Sequence, residues 1–145
     1  MIRAEVNQQL LKGGQRLPKT LVARTLRAVA KVVGEKRSVG VSIAFVTKAQ
    51  MRVLNKQYRG KDSITDVLSF ALDEDGELGE LILSYDQAKV QAKEMHHATR
   101  HELVFLITHG LLHLYGHDHE KPKDAKKMFA LQTQILNKMG VNPKI

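Results

Sequence analysis

The 145-residue chain contains no cysteine, which removes disulfides and thiolate metal sites together, so any bound metal must rest on histidines and carboxylates. Tryptophan is absent and aromatics make up only 5%, leaving the core to aliphatic packing. Prolines number three, too few for extended proline-rich linkers or docking segments. No apolar run is long enough to span a bilayer, and the first residues (Met1, Ile2, Arg3, Ala4, Glu5) lack the charged-then-apolar order of a secretory signal. Together these absences point to the cytoplasm and away from membranes. Acidic residues are also in deficit, 15 against 23 Lys and Arg, for a net charge of +8. A surface of that sign attracts polyanions, nucleic acid foremost.

The length suits one domain with a real core, and the reading is a single domain over residues 1–145. Residues 2–10 read as a first strand, broken at Gly13 and Gly14. Pro18 marks the first helical position and Gly34 the stop of a helix with an apolar face of Leu21, Val22, Leu26, Val29, Val32 and Val33. Arg24, Arg27 and Lys31 line another face, either as a solvated stripe or as a track for phosphates. Residues 39–47 are β-branched and apolar, a strand, and a helix follows over 48–58. Strands over 65–72 and 78–84 flank a turn at 73–77 whose hairpin signal is Asp75-Gly76. Helices follow over 86–96, 100–115 and 123–139. Strands grouped with helices around one hairpin predict an α+β fold, a small mixed four-stranded sheet packed with helices.

Four of the seven histidines fall between positions 109 and 119. His109 and His113, at i and i+4, share one helical face. Gly116 lets the chain turn back and bring His119 to the same point. Three imidazoles and an open fourth position are what a catalytic zinc takes, and the expectation is one zinc ion, with another divalent metal as an alternative. The spacing matches the metzincin pattern H-E-x-x-H-x-x-G-x-x-H except that Gly110 replaces the glutamate base. A metal cage without that base argues against a peptidase. His117 is expected to point away from the metal, Asp118 and Glu120 are candidates to orient the ligands, and His96, His97 and His101 read as surface or packing residues.

A second dense segment runs N-x-x-Y-R-x-x-D-x-x-T-D-V-L-S-F from Asn55 to Phe70. In it Arg59 ends a helix and could grip a phosphate with its planar fork, or simply cap the helix dipole. With L-G-E-L-I-L-S and H-G-L-L-H-L-x-G-x-D-H after it, the chain from about 41 to 140 resembles the YbeY family of bacterial endoribonucleases. The resemblance implies a zinc on His109, His113 and His119 and Arg59 as the arginine needed for activity. It implies metal-dependent cleavage of single-stranded RNA in rRNA maturation, at the small-subunit rRNA 3′ end, and in ribosome quality control. RNA, chiefly rRNA, and the ribosome or its small subunit with assembly factors are the expected partners. Lys61, Asp66, His117 and Asp118 are further candidates for supporting the metal or meeting substrate. The family has tyrosine where His117 stands and aspartate where Glu80 stands. Lys121, Lys123, Lys126 and Lys127 crowd the start of the last helix, against its dipole, as a surface run or an RNA-docking patch. The rivals are a non-catalytic ribosome-assembly factor with structural zinc and a zinc peptidase.

Overall fold

A computed structural model describes residues 1–143, Asp73 by its backbone alone. Its order is β1 (Ile2–Asn7), a 3-10 turn (Gly13–Gln15), α1 (Lys19–Val33), β2 (Val39–Val46), α2 (Lys48–Arg59), β3 (Val67–Glu74), β4 (Glu77–Ser84), α3 (Tyr85–Glu94), α4 (Thr99–Leu114) and α5 (Pro122–Met139). The sheet order is β1-β2-β4-β3. β1 and β4 both run parallel to β2, and β3 pairs antiparallel with β4, so the sheet is mixed and β3 is an edge. This is the expected α+β architecture. Pro18 caps α1 from just outside rather than opening it, and Gly34 closes it at φ 74°, its N–H on the carbonyl of Ala30. The hairpin turn narrows to Asp75-Gly76 because Asp73 and Glu74 still continue β3.

Each strand shares its side chains between two unequal faces. Val39, Val41, Ile43, Phe45, Leu81 and Leu83 join the main core beneath α1, α4 and α5. Ala44, Val46, Leu68 and Ile82 turn to the other face, where Met51 and Leu54 of α2 cover them. The main core therefore lies on one side and a single helix guards the other. Thr47 starts α2 with a capping box: its hydroxyl accepts from the N–H of Gln50, whose side chain accepts from the N–H of Thr47. Gly60 ends the helix at φ 70°. The loop beyond is tied back by Asn55, which donates to the carbonyl of Ser63 at 2.9 Å, and by a two-pronged Arg52–Asp62 pair.

α4 is the central helix and packs against α1, α3, α5, β3 and β4. Leu103, Val104, Leu106, Ile107, Leu111 and Leu112 are buried around nearly its whole circumference. One stripe, Phe105-His109-His113, is only half-buried. Gly110 lies on the sheet side: a Cβ there would come within 2.7 Å of the buried Leu81 side chain and 3.2 Å of Ser69 Oγ. The missing side chain lets the helix approach the sheet closely enough for Ser69 to donate to the Gly110 carbonyl at 3.3 Å. A glutamate at this position would meet Leu81, not solvent, which explains physically why the peptidase base is missing. No helix among the described residues is long and apolar enough to cross a membrane.

Gly79 is the second close approach. It sits at φ 148°, and a Cβ would fall 2.2 Å from the carbonyl oxygen of Phe70 on β3. Backbone, not a pliable side chain, would have to move. Gly79→Ala is expected to cost about 1–3 kcal/mol, read as a lowered midpoint in thermal denaturation. An unchanged midpoint would contradict the tight β3–β4 contact.

Candidate metal centre

The half-buried stripe of α4 delivers His109 and His113 to the β3 edge of the sheet. At the helix end Gly116, at φ 89°, reverses the chain; its N–H bonds to the carbonyl of His113, and the N–H of His117 to that of Leu112. His119 then folds back, its ring centroid 5.4 Å from that of His109 and 5.3 Å from that of His113. One ring nitrogen from each of the three lies within 4.8 Å of the others. The convergence expected from spacing is therefore present in the fold.

The hydrogen bonds fix which nitrogens converge. His113 Nδ1 lies 2.9 Å from the backbone carbonyl of His117, an atom that can only accept, so Nδ1 carries the proton. His109 Nδ1 lies 2.9 Å from Gln132 Oε1 on α5 and is likewise the donor. In the neutral rings both Nε2 atoms are then left with lone pairs, and these two atoms face each other at 3.1 Å. Two lone pairs at that distance repel unless a cation or a proton sits between them. The edge of a tetrahedral zinc site, from Zn–N bonds of about 2.0–2.1 Å, is about 3.4 Å. The donor set suits zinc: three imidazoles, two of them oriented from behind, at the edge of an open cleft. Burial is the main reason His113 is pulled below its ordinary pKa of 6.5, and a proton on His109 would disfavour one on His113 further, which keeps its nitrogen available.

Two aromatic rings brace the triad. Phe105 stacks on His109 with 12° between planes and 6.0 Å between centroids. Phe129 stacks on His119 at 14° and 6.3 Å.

The triad forms one wall of a cleft of about 660 Å³ that runs along β3. Tyr58 and Arg59 at the end of α2 line it as well, together with Asp66 and Phe70, and with Asp118 and Glu120 from the turn after α4. Arg59 is exposed, and its guanidinium has no partner among the described residues. So the two dense segments of the sequence, 50 positions apart at Arg59 and His109, meet in one cleft. Asp66 shares that lining and is held through both carboxylate oxygens. Its Oδ1 accepts from the N–H of Val67 at 2.8 Å, and its Oδ2 from Gln91 Nε2 at 3.0 Å. Gln91 also donates to Glu102 at 3.0 Å, and the other oxygen of Glu102 lies 2.8 Å from His97 Nε2. This chain clamps the entry of β3 to α3 and α4. His97 is thus a packing residue with a defined partner.

Lys61 and His117 lie outside the lining. The His117 ring is pulled below its usual pKa first by burial and then by Lys127, which puts it on the α5 side; what reaches the site is its carbonyl. Asp118 accepts from the N–H of Glu120 at 3.0 Å, the chief reason its carboxyl is held below the usual range. Neither Asp118 nor Glu120 orients His109 or His113; Gln132 and the His117 carbonyl do that instead. Gln132 escaped the sequence reading, although it left a signal. It is the polar member of the apolar stripe Met128, Gln132, Ile135, Leu136, Met139 of α5. A buried amide in such a stripe needs a partner, and His109 is that partner. The cleft is also less basic than the overall charge suggests, with one guanidinium against the three carboxylates of Asp66, Asp118 and Glu120.

The fold and this site define a small α+β protein with three histidines that could hold a metal ion, open to a cleft that also carries the exposed Arg59. The family model described as "Endoribonuclease YbeY" matches residues 5–140. An "Endoribonuclease YbeY" of Geobacillus thermodenitrificans is 43% identical over 129 residues, covering 80% of this chain and 83% of that protein. One of Listeria monocytogenes serotype 4a is 39% identical over 152 residues, covering 91% and 94%. The solution structure of a Thermotoga maritima protein superposes with a TM-score of 0.66 at 32% identity, covering 96% of this chain and 89% of that one. The chain belongs to the YbeY family.

Two outcomes follow from the geometry. Gln132→Leu removes the acceptor facing His109 Nδ1 and is expected to weaken zinc affinity by about 10–100-fold, read by competition with a chelating dye. Acid titration of the zinc-loaded protein should release metal with a midpoint below pH 6.5, since burial disfavours protonation of His113. Release already complete above that pH would contradict a pre-oriented site.

Proposed function

We propose that the chain is a metal-dependent endoribonuclease that cuts single-stranded RNA in rRNA processing, including small-subunit 3′-end maturation and ribosome quality control, with residues 1–145 acting as one catalytic unit. The observation that carries this reading is the presence, in the lining of one cleft, of three histidines that could hold a metal and of the Arg59 guanidinium, which has no partner among the described residues. The relatives named for endoribonuclease activity, and a chain of net charge +8, support RNA as the substrate. Ribosomal partners and a cytoplasmic location belong to the same proposal, as does zinc as the metal.

A zinc ion on His109, His113 and His119 would supply Lewis acidity toward a phosphoryl oxygen and would acidify a water. The protein's own contribution is positional. The His117 carbonyl and Gln132 hold the Nδ1 protons and aim both Nε2 atoms inward. Arg59, with all its donors uncommitted, receives the phosphate and neutralises the charge that grows on its oxygens in the pentacoordinate transition state. Asp66, hydrogen-bonded through both carboxylate oxygens, helps fix the cleft wall. Gly110 removes the peptidase alternative, since the position of its missing base is filled by Leu81.

Purified wild type should cleave a labelled single-stranded RNA. Arg59→Ala should lose about 10²–10³ in kcat, the usual loss when one transition-state donor is removed, and His113→Ala should lose zinc and activity together. Equal cleavage by all three would assign the activity to a contaminant. A zinc-loaded wild type that binds RNA without cutting it would favour the assembly-factor reading. A 2′,3′-cyclic phosphate on the product would identify the RNA 2′-OH as nucleophile.

A further inference from the structure

We propose that Tyr58, seated on Phe70 beside Arg59, is a stacking platform for an unpaired nucleobase next to the phosphate that Arg59 receives. The inference rests on the ribonuclease reading and deepens it by assigning a base subsite.

Four Phe and three Tyr are all the aromatics this chain has, and three of them, Tyr58, Phe70 and Phe105, line the one cleft. Phe105 is already stacked on His109. Tyr58 and Phe70 meet at 5.1 Å between centroids with 70° between planes. An edge contact of that kind covers the face of one ring at most. Tyr58 remains 59% exposed although it belongs to a helix that covers one face of the sheet. An apolar ring left in water beside a cleft is unspent contact area for a ligand.

The backbone that carries the ring is tied down by hydrogen bonds. The turn after it is fixed by Gly60, whose N–H bonds to the carbonyls of Asn55 and Lys56. Asn55 and Ser63, then Arg52 and Asp62, lock the following loop. Little conformational freedom would be lost when a base settles on the ring. Neighbouring positions 58 and 59 would then address neighbouring chemical units of one nucleotide chain, the base by its face and the phosphate by its charge. In an A-form duplex both faces of a base are covered by its neighbours, so a ring that needs a free face selects single strands.

The test uses zinc-loaded full-length protein and short single-stranded RNAs carrying 2-aminopurine at successive positions. Fluorescence is read by stopped flow before turnover. Wild type should quench one position strongly and leave the same probe in a duplex unquenched. Tyr58→Ala should lose that quench and bind about 5- to 150-fold more weakly, the worth of one base–aromatic stack. Tyr58→Phe keeps the ring and should behave as wild type, which separates stacking from the hydroxyl. In steady state Tyr58→Ala should raise KM and leave kcat nearly unchanged. A Tyr58→Ala protein with wild-type quench and KM overturns the proposal, as does uniform quenching at every position. The two readings fail separately. Quenching without cleavage sinks the nuclease and keeps the platform, whereas cleavage indifferent to Tyr58 sinks the platform and keeps the nuclease.

Discussion

Two imidazole nitrogens, each with its lone pair exposed, face each other 3.1 Å apart at the end of α4. The acceptors behind them, a backbone carbonyl and the Gln132 amide oxygen, deny either ring the tautomer that would turn this approach into a hydrogen bond. A divalent ion held there would relieve the repulsion. The rest of the fold serves this arrangement. The buried girth of α4 leaves a single half-open stripe, Gly110 lets that stripe descend onto the sheet edge, and Gly116 brings the third histidine back.

The surroundings give that ion a second task. Overall charge is strongly positive, yet the cleft itself holds three carboxylates and one guanidinium. A phosphate entering it would meet net repulsion from fixed side chains. A metal ion held on the three histidines would supply positive charge in this acidic-lined cleft, beside the exposed guanidinium of Arg59, and would favour a polyanion there. Under the proposed function, long-range attraction by the basic exterior and acceptance at the metal site would be separate tasks of different residues.

Much of this was legible in the sequence because it is local. The i, i+4 pair and the following glycine specify convergence through helix geometry alone, and Asp75-Gly76 and the glycines ending α1 and α2 mark their own turns. What could not be read is what depends on packing between distant segments. Gln132 finds His109 only because α5 folds beside α4, and the His117 carbonyl is backbone, invisible to any residue pattern. The Asp66–Gln91–Glu102–His97 chain spans three elements whose proximity follows from the sheet order. Asp118 and Glu120 were plausible orienters by adjacency, but the tight turn puts the His117 carbonyl where a carboxylate was expected. The acidic lining of the cleft is equally a tertiary property, hidden beneath a net charge of the opposite sign.

The most direct test is the affinity of a short single-stranded RNA for the same protein with zinc and after chelation, at one fixed ionic strength. If the metal supplies the decisive positive charge of the cleft, loading should tighten binding severalfold or more, and His113→Ala should bind alike in both conditions. Equal affinity of the wild type with and without metal would mean that RNA is held elsewhere on the basic surface, and the central claim would fall.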